Sequence, residues 1–61
     1  MTYAVKVRPR GATAWFWLRD PDPLQLTTRR GRAGIGTQEQ AERWARIVAR
    51  LGVAARAVEI G

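Results

Sequence analysis

The chain has 61 residues, a formal net charge of +6 and neither cysteine nor histidine. Without cysteine it has no disulfide and no thiolate metal site, and without histidine it lacks the commonest metal ligand and proton shuttle. A chain this short buries only about 60% of the surface that its unfolded form exposes, so a stable fold needs tight packing, an oligomer or a partner.

The basic charge is carried almost entirely by arginine. Lys and Arg together number 11 against 5 Asp and Glu, and Lys6 is the single lysine. Arginine binds phosphate groups and guanine edges in a planar, bidentate manner. The composition therefore favours a nucleic acid or another acidic partner. A high-GC genome, which is rich in Arg and Ala codons, is the alternative explanation.

No stretch approaches the roughly 20 consecutive apolar residues of a membrane span, and the N-terminus lacks the apolar region of a signal peptide. Met1 is typical of a native start. We therefore expect a complete cytoplasmic protein that forms a single domain over residues 1–61 and has no membrane partner.

The first part of the chain predicts an antiparallel hairpin. Residues 3–8, YAVKVR, alternate between two faces, which is typical of a half-buried strand. Pro9–Gly11 predicts a turn, because proline cannot continue a ladder and glycine permits the reversal. Residues 14–19, AWFWLR, predict a second strand rich in aromatic side chains.

The next part predicts a tight turn, a short strand and a basic loop. Asp20–Pro23 is a rigid turn, and residues 24–28, LQLTT, alternate as a third strand does. Residues 29–34, RRGRAG, predict a flexible loop. Ile35 lies close to a hydrophobic-staple position before the helix that follows.

Residues 36–52 predict an amphipathic helix. Thr37 is a suitable N-cap, Gln40 completes a capping box, and Gly52 can adopt the left-handed conformation that ends a helix. One face carries the apolar stripe Ala41, Trp44, Ala45, Val48 and Leu51, with Ile47 on its shoulder. The opposite, solvated face carries Glu39, Glu42, Arg43, Arg46 and Arg50, in which Glu39–Arg43 and Glu42–Arg46 are i,i+4 pairs.

Residues 53–60 predict the last strand. Val58 and Ile60 share its expected inward face. Arg56 has the same parity, so we expect either a late start of the strand or a bulge. The order is β-β-β-α-β and the expected fold class is α+β: a sheet of three or four mainly antiparallel strands, packed on one face by one amphipathic helix.

The orientation of the second strand decides the functional interpretation. If Ala14, Phe16 and Leu18 face the helix, two tryptophans and three cations lie together on the free face of the sheet. Aromatic side chains interleaved with phosphate-binding cations are typical of a nucleic-acid surface. The residues of this expected face are Lys6, Arg8, Trp15, Trp17 and Arg19.

Two alternatives stay open for this face. In the reverse register Trp15 and Trp17 form the core, as tryptophans of a small domain often do. Alternatively, the exposed Trp face is covered by another protein or by a second copy of the chain, since Trp and Arg are the residues most enriched at interface hot spots.

The basic loop is the second candidate site. Arg29, Arg30 and Arg32 place three guanidinium groups within four residues, a density that suits phosphate contacts. The alternative is an ordinary solvated surface loop.

The residue types for catalysis are largely missing. The sequence has no Ser, Cys or His, which excludes a catalytic triad and its variants. Gly34–Gly36 lacks the partner positions and the preceding parallel strand of a phosphate-binding glycine motif. A domain this small also lacks the volume of a drug-sized pocket. We therefore expect no enzymatic activity, no cofactor, no metal and no small-molecule substrate.

The segment that begins at Ile35 carries two resemblances. Over nearly its whole length the chain resembles small phage and prophage-type β-β-β-α-β proteins of unknown function, which implies the fold and leaves the activity open. That pattern joins a Val-rich strand, an aromatic strand, a Leu-Thr-Thr-Arg-Arg segment, a helix and a Val-rich last strand. It is matched here by Leu26, Thr27, Thr28, Arg29, Arg30, Ala33, Ile35, Thr37, Glu39, Ala41 and residues 58–60.

The middle of the chain, residues 15–22 and 37–44, is similar to the AP2-like arm-binding domain of phage-type tyrosine recombinases. In that family a helix backs a three-stranded sheet whose free face enters the DNA major groove. The resemblance implies that Lys6, Arg8 and Arg19 read DNA. Pro23 stands where the family pattern has glycine, and here a further strand follows the helix.

The sequence thus predicts a small basic binding protein of phage type. We expect it to bind nucleic acid, duplex DNA in preference, through the free sheet face and the loop of Arg29, Arg30 and Arg32. The rival hypothesis is a protein-interaction module, either a homodimer or a phage-encoded modulator of a host or regulatory protein, that uses Trp15 and Trp17 as its contact residues.

Overall fold

The strands and the helix form where the alternation and the end signals place them. The computed structural model describes all of residues 1–61, and its four strands form one antiparallel sheet in the order β3-β2-β1-β4. The α+β fold class is confirmed. The elements are β1 (Tyr3–Arg8), β2 (Phe16–Pro21), β3 (Leu24–Thr27), a 3-10 helix (Arg30–Arg32), α1 (Gln38–Ala49) and β4 (Ala54–Glu59).

The inner face of the sheet is apolar and is covered by α1. Val5 and Val7 of β1 and Leu18 of β2 are fully buried there, as period-2 alternation requires of residues two apart on one face. Ala41 and Val48 of α1 complete this buried cluster. The partly buried apolar residues that pack around it are Tyr3, Leu26, Trp44, Ala45, Val53, Ala55 and Ala57.

The ends of α1 follow the predicted signals, with one difference. The Thr37 hydroxyl accepts a hydrogen bond from the Gln40 amide at 3.2 Å, but the Gln40 side chain makes no reciprocal bond, so half of the capping box forms. Gly52 adopts a φ of +83°, which stops the helix as expected.

The predicted helix faces are largely confirmed. Glu39 and Arg43 form an ion pair at 3.6 Å. The predicted Glu42–Arg46 pair is absent, because the Glu42 carboxylate accepts a hydrogen bond from Gln38 at 3.4 Å instead. Leu51 is 59% exposed. It follows the last helical residue, so the predicted extension of the apolar stripe to this position is wrong.

The predicted facing of β4 is also wrong. Lys6 pairs with Arg56 and Ala4 with Val58, so Arg56 and Val58 lie on the outer face of the sheet. Ala55 and Ala57 face inward and pack on the core. Neither a bulge nor a late start is needed, because small residues suffice on the inner side, where the helix packs on β4.

The basic loop is more ordered than its composition predicts. After the 3-10 helix, residues 34–36 lie between Tyr3 of β1 and Leu18 of β2, where these two strands diverge. We call this position the fork. There the Gly34 amide donates to the Leu18 carbonyl at 2.9 Å, and Gly36 exchanges two backbone hydrogen bonds of 2.9 Å with Tyr3. Ile35 is 58% exposed between them, so the predicted hydrophobic staple does not form.

The bounds of β2 and β3 differ from the prediction. β2 begins at Phe16 and continues to Pro21, and Trp15 lies just before it, at the end of a longer connection that starts with the turn at Gly11. β3 ends at Thr27. α1 has 12 residues, and no helix of the chain is long and apolar enough to cross a membrane.

Candidate nucleic-acid interface

The outer face of the sheet gathers side chains from three strands. Lys6 of β1 pairs with Trp17 on one side and with Arg56 on the other. Residues paired across a ladder lie on the same face, and this face is opposite to the one that buries Val5 and Val7. The prediction that Trp17 points away from the core is therefore confirmed, and the reverse register is wrong.

The tryptophan rings of this face are covered by cations. The Lys6 Nζ lies 4.9 Å from the centroid of the Trp17 ring. The guanidinium carbons of Arg8 and Arg56 lie 5.4 Å and 4.8 Å from the centroid of the Trp15 ring. These distances fall within the range of cation–π attraction, which contributes about 0.5–1 kcal/mol per contact at an exposed site. We call these five residues the Trp/Arg face.

The shape of the Trp/Arg face follows from this packing. Trp15 and Trp17 are half-buried, although no other element covers them. The charged ends of Lys6, Arg8 and Arg56 lie over the rings and so cover part of their apolar surface. Arg8 of β1 and Arg56 of β4 both lie over Trp15, so their guanidinium groups are held close together on the outer face of the sheet.

The Trp/Arg face carries positive charges and no negative ones. The ion pair between Glu39 and Arg43 on α1 is the sole salt bridge in the chain. Lys6, Arg8 and Arg56 therefore have no carboxylate partner, and the net charge of +6 is concentrated in unpaired cations. A surface of this kind attracts anions over a distance of about one Debye length, roughly 8–10 Å at physiological salt.

Arg19 lies in β2, outside the Trp/Arg face. It is exposed, at the point where the ladder between β2 and β3 shifts register between Leu18 and Asp20. Its side chain makes no hydrogen bond or ion pair. The neighbouring Asp20 carboxylate accepts the Asp22 amide at 3.1 Å. Arg19 is thus available to a ligand, but the structure does not bring it to the Trp rings.

The three loop arginines have different environments. Arg30 is tied down, because its guanidinium donates to the Ile60 carbonyl. The Arg29 backbone amide donates to the Thr27 hydroxyl at 3.1 Å, while the side chains of Arg29 and Arg32 are exposed and unpaired. The loop therefore offers two free guanidinium groups and not three.

Arg56 is the residue that the sequence prediction missed. We assigned it an inward parity because Val58 and Ile60 are the larger apolar residues of the last strand. The available signal was the alternation of Ala55 and Ala57 with Arg56, in which the two alanines suit a close helix contact. The structure adds Arg56 to the predicted face and gives it the shortest cation–ring distance there.

The remainder of the surface offers little to a small ligand. A shallow depression lies beside the fork, where Tyr3, Gly34, Gln40 and Trp44 are among its lining residues. It is open and encloses no cavity. No group of three or more metal-ligating side chains comes together in the structure.

Comparison with known proteins adds no assignment. Neither a protein-family model, nor a curated protein, nor a solved structure matches the chain. The interpretation of the Trp/Arg face therefore depends on its own geometry and charge.

Proposed function

We propose that this protein is a non-enzymatic nucleic-acid-binding protein that contacts duplex DNA through its Trp/Arg face. The observation that carries the proposal is the stacking of Lys6, Arg8 and Arg56 on Trp15 and Trp17 without any carboxylate partner. The unpaired cations supply phosphate affinity, and the sheet holds them in one plane.

Holding the cations on the rings reduces the entropy that they lose on binding. A free arginine side chain gives up about 1.5–2 kcal/mol of rotamer entropy when it is immobilised. Arg8 and Arg56 already lie against Trp15, so part of this cost is met before a ligand arrives. Preorganisation of this kind increases affinity without any additional contact.

The same contacts favour a duplex over a single strand. Proteins that bind single strands without sequence preference stack the bases on free aromatic rings. Here a cation lies over each ring, so the rings are better suited to positioning cations than to receiving bases. Phosphate contacts made by Arg8, Arg56 and Lys6, with Arg19, Arg29 and Arg32 at the periphery, are the expected source of affinity.

The test is a fluorescence-anisotropy titration of a labelled 20-base-pair duplex at several salt concentrations. We expect log affinity to fall linearly with log salt, with a slope of about 0.9 for each phosphate contacted. Arg56→Gln is expected to reduce the slope by about one contact. Arg46→Gln removes an exposed charge from α1 and should leave the slope unchanged. Absence of binding to duplex at low salt would falsify the proposal.

A second candidate function uses the same face as a protein interface. The observation that favours it is the pair of half-buried tryptophans surrounded by arginine, since these are the residue types of interface hot spots. Binding of that kind responds weakly to salt. Trp15→Ala or Trp17→Ala is then expected to abolish it, while Arg32→Ala leaves it intact.

A further inference from the structure

The strand β4 has one free edge. The Ile60 amide donates to the Thr2 carbonyl at 2.8 Å, so the even-numbered residues of this ladder direct their backbone groups toward β1. Because the direction alternates along an antiparallel strand, the N–H and C=O groups of Ala55, Ala57 and Glu59 point away from the sheet. β4 is the last strand in the order β3-β2-β1-β4, and no other segment pairs with it.

This edge has little of the usual protection against pairing, since its charged residues are only Arg56 and Glu59, the last residue of the strand. Natural edge strands are blunted by proline, by a bulge, by short length or by charges that point across the edge. β3, at the opposite edge, has four residues next to the turn at Asp22 and Pro23. β4 has six residues in unbroken register with β1 and no proline. Its one cation, Arg56, reaches back over Trp15 at 4.8 Å, away from the free edge.

We propose that β4 pairs in antiparallel fashion with β4 of a second copy of this chain, about a two-fold axis at Ala57. Two four-stranded sheets then join into one sheet of eight strands. Ala57 forms a hydrogen-bonded pair with its own counterpart, and Ala55 pairs with Glu59 of the second copy. In this register the outward-pointing backbone N–H and C=O groups of Ala55, Ala57 and Glu59 all form hydrogen bonds with the second copy.

The charges of β4 select this register. An axis at Arg56 satisfies fewer open groups and places two guanidinium groups directly opposite each other, which is destabilising. An axis at Ala57 places Arg56 opposite Val58 of the second copy. The two Arg56 residues are then diagonal neighbours about 7–8 Å apart. Their repulsion is weaker and is screened by salt.

A second copy also suits the small core of the domain. Only six of the 61 residues are buried, and the chain has no cysteine to form a stabilising disulfide. Small domains without such a bridge are commonly stabilised by association. After pairing at β4, the inner face of each sheet still packs against the helix of its own chain. It places both Trp/Arg faces on the same side of the joined sheet, a consequence that matters for binding only if the proposed function holds.

The test is sedimentation velocity without nucleic acid, over a wide range of protein concentration. We expect a monomer–dimer equilibrium that tightens as salt rises, the opposite of the salt dependence expected for DNA binding. A chemically synthesised chain that is N-methylated at Ala57 loses the central donor and gains a methyl group on the edge. We expect its dimer to be at least tenfold weaker, with an unchanged circular dichroism spectrum.

The matched control is N-methylation at Gly31, whose amide makes no backbone hydrogen bond; this chain should dimerise normally. A second readout uses the absence of native cysteine. Ala57→Cys should form a disulfide-linked dimer on oxidation, since the paired Cα atoms are about 5.5 Å apart, whereas Gln25→Cys on β3 should not.

A chain that stays monomeric at every concentration overturns the proposal. So does a dimer that tolerates N-methylation at Ala57, because such a dimer uses another surface. Both readouts are free of nucleic acid, so their failure leaves the proposed function untouched, and failure to bind DNA leaves the dimer untouched.

Discussion

Arg30 donates a hydrogen bond from its guanidinium to the backbone carbonyl of Ile60, thirty residues further along the chain. The bond joins the basic loop to the end of β4. Ile60 can accept it because the Thr2 amide bonds to Gly61 at 2.7 Å and leaves the Ile60 carbonyl free. Arg30, which the composition of the loop assigned to a phosphate-binding site, thus makes a structural contact within the fold.

Replacing Arg30 should therefore lower the stability of the fold more than replacing Arg32. A hydrogen bond from a charged group contributes about 1.5–3 kcal/mol, and exposure places this one toward the low end. We expect Arg30→Ala to lower the free energy of unfolding by about 1.5 kcal/mol in urea denaturation. Arg32→Ala removes an exposed side chain without a partner and should change it by less than about 0.5 kcal/mol. Equal effects of the two substitutions would contradict the structural role of Arg30.

Gly34 occupies a position in the fork where no side chain fits. A Cβ at this residue would lie 2.6 Å from Trp44 Cζ3 and 2.7 Å from the Arg19 carbonyl oxygen. The backbone on one side and a packed ring on the other leave little room for adjustment. We expect Gly34→Ala to destabilise the fold by about 1–3 kcal/mol, as overpacking of a core typically does, measured as a shift in the urea midpoint.

Gly31 provides the matched control for this prediction. Nothing lies within 4 Å of a Cβ built there, and its φ is not positive. Alanine reduces the entropy of the unfolded chain at such a position, so Gly31→Ala should be neutral or stabilising by up to about 1 kcal/mol. If both alanine variants behave alike, the fork is looser than its geometry indicates.

The helix was predictable in detail because its signals are local. Thr37, Gln40 and Gly52 mark its ends, and the spacing of Ala41, Trp44 and Val48 marks its buried face. Each of these depends on residues within two turns of one another. The position of Leu51 was not predictable in the same way, since a side chain beyond the last helical residue no longer follows the helical period.

The facing of β4 and the path of the basic loop depend on distant parts of the chain. Ala55 and Ala57 lie inside because α1 packs closely on β4. The small size of the two alanines is a local indication of this contact, but the distance between helix and strand depends on the assembled fold. The path of residues 33–36 depends on a fork between β1 and β2 that exists only in the assembled sheet. The alternation of Trp17 with Leu18 left two orientations open, and the pairing of Trp17 with Lys6 and the burial of Leu18 in the assembled sheet decide between them.

The Thr37 cap is expected to support α1 measurably. Its hydroxyl accepts the Gln40 amide at 3.2 Å, one of the donors that a helix start leaves without a partner. Thr37→Ala should cost about 1 kcal/mol in the free energy of unfolding. Thr13→Ala is the control, because Thr13 is exposed and its hydroxyl makes no hydrogen bond. A cap substitution that costs no more than the control would show that tertiary packing alone sets the helix start.

Trp15 tests whether the rings position the cations or contact the ligand directly. In the proposed interface it holds Arg8 and Arg56 in place, with ring distances of 5.4 Å and 4.8 Å, while the phosphates are contacted by the guanidinium groups. Trp15→Leu should then weaken duplex binding by roughly tenfold, the equivalent of losing two exposed cation–π contacts of about 0.5–1 kcal/mol each. The salt slope should stay unchanged, because the number of phosphate contacts is the same.

The measurement is the anisotropy titration repeated at several salt concentrations with Trp15→Leu and with Arg8→Gln. The two variants should differ in the plot of log affinity against log salt. Trp15→Leu should lower the affinity at every salt concentration without changing the slope. Arg8→Gln should reduce the slope by about 0.9. A reduced slope for Trp15→Leu would mean that the arginines need the ring in order to reach phosphate at all. An unchanged affinity would remove Trp15 from the interface and leave the exposed cations to act independently of the aromatic rings.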